Sequence, residues 1–142
     1  MAKQKALERI ELAILDDERE ILDLFKEWLP KSKYAVHTYK TPEELFDDIE
    51  QGRDYHVMII DRQVTPPNRR FVGGDFGGDE AIKRLRKIFP LKLIISMSGY
   101  HDPSPGANVC LGKPFSFQGL DAFIQEQITA HKTYHEPPRE GD

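Results

Sequence analysis

The sequence predicts an α/β domain: a doubly wound, five-stranded parallel sheet with helices on both faces. Three observations carry this. Short apolar runs alternate along the chain with amphipathic segments whose apolar residues recur at three- and four-residue spacing, the beat of repeated strand–helix units. Two runs, 57–60 and 93–97, are almost continuously apolar, as strands covered on both faces are. The chain has 142 residues, the size of one domain with a core of its own. Residues 1–132 therefore read as a single domain. Residues 133–142, polar and Pro-rich, read as a flexible tail.

The elements follow in order. Residues 10–15 (IELAIL) form the first strand. Residues 18–29 form a helix whose apolar set is Ile21, Leu22, Leu24, Phe25, Trp28 and Leu29. A second strand covers 34–39. The next helix is announced by TPEE: Thr41 as N-cap, Pro42 at the first helical position, and Glu44 completing a capping box. The third strand is 57–60. An irregular segment, 61–78, separates it from a helix at 79–89 with Asp79 as N-cap and Ile82, Leu85, Ile88 and Phe89 on one face. Strands at 91–97 and 108–112 follow. A helix over 116–132, capped by Ser116, closes the domain.

Composition narrows the class. Charged residues make up 31% and the net charge is −4, which argues against a general nucleic-acid binder. Cys110 is the single cysteine, so no intrachain disulfide framework exists, and a reducing, cytoplasmic setting is expected. The first fifteen residues scatter charges through any apolar run, which fits neither a signal peptide nor a membrane span.

In open parallel sheets, ligands gather beyond the carboxyl ends of the strands. Here the first strand runs into Asp16 and Asp17, the third into Asp61, the fourth into Ser98 and Gly99, and the fifth into Lys113 and Pro114. Each residue alone fits a cap or a turn. Together they bring three carboxylates, a hydroxyl and an ammonium group to one edge. Clustered carboxylates suit a hard cation such as Mg²⁺, which takes one or two of them and keeps its remaining positions for water and phosphate oxygens. A carboxylate aligned with a phosphoryl donor can act as nucleophile, with the cation and the lysine stabilising charge.

The runs LAILDDEREILDLF, VMIID, LIISMSG and LGKPFS resemble the receiver domain of two-component response regulators over roughly residues 10–130. The resemblance implies strand order 2-1-3-4-5, with Asp61 as phosphoacceptor and Asp16, Asp17, Asp61 and the backbone carbonyl of Gln63 as Mg²⁺ ligands. It gives Ser98 and Lys113 the roles of phosphoryl-contacting hydroxyl and lysine, and a cis bond to Lys113–Pro114. It also implies a histidine kinase or histidine phosphotransfer protein as donor and an unidentified protein as downstream partner. Nucleic-acid contact and membrane insertion are not implied, nor is any catalysis beyond uptake and hydrolysis of the chain's own phosphoryl group.

Three departures qualify this. The segment after Asp61 is long and carries four glycines, leaving open a lid over the site or an ordinary surface loop. The stretch from Ser98 to Lys113 holds two prolines and lacks helical periodicity, so the fourth helix of the family is expected to be shortened or absent. Cys110 stands three before the lysine, where the family carries an aromatic switch. A phosphorylation-independent protein-binding module of the same fold is the alternative, opposed by the intact acidic cluster and lysine. A phosphatase is disfavoured, because Gln63 occupies the place of its second acid.

Overall fold

The computed structural model describes residues 9–63, 77–99 and 103–131. Five parallel strands, β1 (Ile10–Leu15), β2 (Tyr34–Tyr39), β3 (Val57–Asp61), β4 (Leu93–Ser98) and β5 (Val109–Gly112), lie in the order β2-β1-β3-β4-β5. Among the described residues four α-helices cover the sheet: α1 (Arg19–Trp28), α2 (Pro42–Glu50), α3 (Gly78–Ile88) and α4 (Leu120–Ala130). The expected fold class is the observed one.

Alternation along the strands divides the core in two, because successive side chains point to opposite faces. Leu12, Ile14, Val57, Ile59, Ile95 and Met97 pack with Leu22 and Phe25 of α1 and Ile124 of α4. Ala13, Leu15, Met58, Ile60 and Ile94 pack with Leu45 of α2 and with Ala81, Ile82 and Leu85 of α3. Burial on both faces explains why β3 and β4 show no polar alternation.

The helix starts are local chemistry. Thr41 Oγ1 accepts from the Glu44 N–H at 3.2 Å, while Glu44 Oε1 accepts from the Lys40 N–H at 2.9 Å, so the predicted box reaches back one residue further. Ser116 Oγ accepts from the Gln118 N–H and caps a 3₁₀ turn, Phe117–Gly119, that leads into α4.

Several expectations are corrected. Trp28 is 46% exposed. At 3.6 residues per turn it lies about 90° from the centre of the stripe formed by Leu22, Phe25 and Leu29. Ile88 likewise faces out at the edge of its stripe. β4 begins at Leu93 rather than at 91, because residues 90–91 form a turn that leaves Leu91 exposed. Asp79 is not the N-cap of α3. The cap is Gly77 and the helix begins at Gly78, where the backbone lies so close to β3 that an added Cβ would sit 1.9 Å from the Asp61 carbonyl oxygen.

Between β4 and β5 the described residues hold a turn at 103–108 and no helix. Gly106, at φ 98°, packs against Ile82 of α3. Arg86 holds the turn in place: its guanidinium donates to Gly106 O at 2.8 Å, Asn108 Oδ1 at 2.7 Å and Lys92 O at 2.8 Å. Asn108 Oδ1 also accepts the Ile94 N–H at 2.9 Å. Within the basic run Lys83, Arg84, Arg86 and Lys87 of α3, Arg86 is thus an internal staple while the other three are exposed. Most of the 61–78 segment lies outside the described residues, as does the tail.

Candidate functional site

Register brings the predicted residues together. Leu15 pairs with Ile60 and Asp61 with Met97, so Asp16, next along from Leu15, arrives level with Asp61 on the adjacent strand. Neighbouring strands lie about 4.8 Å apart. Carboxyl oxygens of Asp16, Asp17 and Asp61 accordingly fall within 4.8 Å of one another. Asp16 and Asp61 are buried, and Asp17 is the more open member. The cluster sits between β1 and β3, where the strand order reverses and this architecture leaves its crevice.

Lys113 supplies the opposing charge. Its Nζ lies 3.4 Å from Asp16 Oδ2 and 3.3 Å from Asp61 Oδ2. The lysine is placed by what flanks it: its N–H donates to Ser98 O at 2.7 Å, the Lys113–Pro114 bond is cis as the resemblance implied, and Phe115 and Phe117 pack on Phe25 of α1. A cleft of about 330 Å³ lined by Glu18, Ile21, Lys113, Pro114, Phe115 and Phe117 opens beside it.

The remaining oxygens are held by backbone. Asp16 Oδ1 accepts the Glu18 N–H at 2.9 Å, and Asp61 Oδ1 accepts the Gln63 N–H at 3.0 Å. Burial pushes the Asp16 carboxyl above its ordinary pKa and the charge of Asp61 adds to this, outweighing the Glu18 N–H and Lys113. Burial opposes the Lys113 ammonium, but attraction to Asp61 and Asp16 wins and raises its pKa. Ser98, fully buried at the end of β4, pairs in register with Gly112, one residue before the lysine. Cys110 is half-buried in β5, opposite Ser96.

A neighbouring arrangement had no sequence signal. Arg62, immediately after Asp61, donates to Asp79 Oδ1 through Nε at 2.8 Å and to Oδ2 through Nη2 at 3.3 Å. Ser104 Oγ donates to the same Asp79 Oδ1 at 2.6 Å.

No family model matches the sequence. Among curated proteins it is similar to the response regulator SaeR of Staphylococcus aureus, 27% identical over 133 residues that cover 91% of this chain and 55% of SaeR. Thus the chain spans about half the length of the curated relatives it matches. Among solved structures it is similar to a CheY-like receiver domain protein of Methanospirillum hungatei, with a TM-score of 0.72 and 23% identity over 88% of this chain and 98% of that one. The chain has the fold of a response-regulator receiver domain. The chemotaxis response regulator CheY4 of Vibrio cholerae superposes with a TM-score of 0.66, 20% identity, and coverage of 84% and 98%. Among the described residues, those between β4 and β5 form a turn, consistent with the shortened or absent fourth helix expected from the sequence. No described helix is long and apolar enough to cross a membrane.

Proposed function

We propose that this chain is a phosphoryl-accepting receiver with Asp61 as the acceptor. One observation carries the reading: a buried Asp61 shares Lys113 with Asp16, beside Asp17, at the crevice of the sheet. A retired site has no physical need to keep like charges this close, since burying them is costly. The donor is a histidine kinase or histidine phosphotransfer protein, the class of partner that response-regulator relatives imply.

In the transfer, a carboxylate oxygen of Asp61 attacks the phosphorus of a phosphohistidine. A P–O bond to Asp61 forms, the P–N bond breaks, and the imidazole leaves with the bonding pair and takes a proton from solvent. The Gln63 N–H fixes the rotamer of Asp61, so the nucleophile is positioned before the donor arrives. Lys113 stabilises charge on the transferring oxygens, and the Ser98 hydroxyl donates to the bound phosphoryl group. The donor set, all oxygen with high negative charge, fits Mg²⁺. Asp16, Asp17, Asp61 and the Gln63 backbone carbonyl would hold it, and when bound it offsets the charge of the phosphoryl oxygens. The chain catalyses only its own phosphoryl uptake and hydrolysis, and its output passes through protein contacts.

The test is incubation with acetyl phosphate and Mg²⁺ followed by intact mass. A phosphate-sized gain is expected in the wild type and not in Asp61→Ala or without Mg²⁺. No gain in folded wild-type protein would reject the reading and favour a fixed binding module.

A further inference from the structure

We propose that Asp79 couples the phosphorylation state of Asp61 to the 103–108 turn, so that this turn and the start of α3 form the surface where the switch is read. The proposal rests on Asp61 being the acceptor. Its basis is one carboxylate on which three parts of the fold converge. Arg62, the residue after the acceptor, engages both oxygens of Asp79. Asp79 lies in the first turn of α3. Ser104, in the turn that stands in place of a fourth helix, donates to the same carboxylate at 2.6 Å. Ser104 is buried, and its N–H donates to Ser96 Oγ on β4 at 3.3 Å.

The far end of the turn is anchored separately. Arg86 grips Gly106 O and Asn108 Oδ1, and the Asn108 N–H donates to Ile94 O at 2.8 Å. The turn therefore has a fixed end at Asn108 and an end at Ser104 held by its hydroxyl on Asp79 and its N–H on Ser96 Oγ.

Phosphorylation acts on the second end. A phosphoryl group brings about −1.5 to −2 of charge and three acceptor oxygens to the residue beside Arg62. A guanidinium binds phosphate in bidentate fashion at least as well as it binds carboxylate. The Arg62–Asp79 pair is open to exchange on the Asp79 side, whose side chain is 47% exposed against 20% for Arg62, so water can take over the carboxylate when Arg62 leaves it. Once Arg62 turns to the phosphoryl group, Asp79 faces the new anion without its main counter-charge. The first turn of α3 and Ser104 then move away together. The differential contact that any switch requires is Arg62, bound to Asp79 in one state and to the phosphoryl group in the other.

Amide hydrogen exchange tests this, with phosphate content read by intact mass on the same sample. The reporters are the amides of Ser104, bonded to Ser96 Oγ, and of Ala107, bonded to Ser104 O at 2.9 Å. On phosphorylation, exchange at both is expected to rise about tenfold, the loss of roughly one hydrogen bond. Asp79→Asn is expected to take up phosphate to the same extent, to exchange fast at both amides from the outset, and to show no further change. Ser104→Ala, which leaves the Arg62–Asp79 pair in place, is expected to lose the response at Ala107 alike. Phosphorylated wild type with unchanged exchange at both amides would overturn the proposal, as would Asp79→Asn keeping the wild-type response. Absence of phosphate uptake, seen in the mass itself, would instead remove the acceptor reading, and this proposal with it.

Discussion

Asp16 and Lys113 show how a cluster of buried carboxylates is kept folded. Asp16 is fully buried beside a second carboxylate, and among the described residues the Glu18 N–H and Lys113 offset that cost. Removing the lysine leaves two buried anions short of their counter-charge. Lys113→Met is expected to destabilise the protein by about 3 kcal/mol in urea unfolding without Mg²⁺, and to slow phosphorylation about a hundredfold. Wild-type rate and stability would show that the lysine does neither task. Asp16, Asp17, Asp61 and Lys113 were legible in the sequence because each sits at a strand end, where side chains from separate segments must meet. The Arg62–Asp79–Ser104 link was not. Its members are 17 and 25 residues apart, and Asp79 sits where a helix cap was an equally good local reading.

At the scale of elements, α3 is fixed at both ends by contacts that periodicity does not encode. Its start is set by Gly78, whose missing side chain lets the helix approach the end of β3. Gly78→Ala would place a Cβ against backbone that has little room to move. The expected loss is about 1–3 kcal/mol, the cost of overpacking, together with slower phosphorylation because the Asp61 end of β3 is displaced. Chemical denaturation and the acetyl phosphate rate measure the two effects, and a variant unchanged in both would contradict the close approach. The end of α3 is set by Arg86, which takes over the task of tying β4 to β5. That the described residues 103–108 form no helix was legible, since prolines and absent periodicity disfavour one there. What replaces it was not, because nothing local separates an inward Arg86 from the exposed Lys83, Arg84 and Lys87.

For the whole molecule, the two cores fix the sheet and the sheet fixes the site. Alternating burial on both faces sets the register that puts Asp16 level with Asp61. That geometry forces anions together, so the domain is expected to gain stability from Mg²⁺, by about 2.7 kcal/mol at a hundred times its dissociation constant. Asp16→Asn should abolish this gain while leaving the Mg²⁺-free protein as stable or more so. The sign follows from the raised pKa of Asp16: its protonated form favours folding, an advantage lost as pH rises through the folded value. Thermal unfolding with and without Mg²⁺ checks both halves, and an unchanged Mg²⁺ response in the variant would remove Asp16 from the ligand set. The fold class was legible from the strand–helix beat, and so were four of the strand-end groups.

Asp61 itself is proposed to carry the phosphoryl group. Borohydride reduction after acetyl phosphate treatment tests it most directly, because hydride converts an aspartyl phosphate to homoserine, which peptide mass spectrometry can locate. Homoserine is expected at position 61 and at no other aspartate. Homoserine at Asp16 or Asp17, or phosphate uptake that leaves position 61 as aspartate, would contradict this.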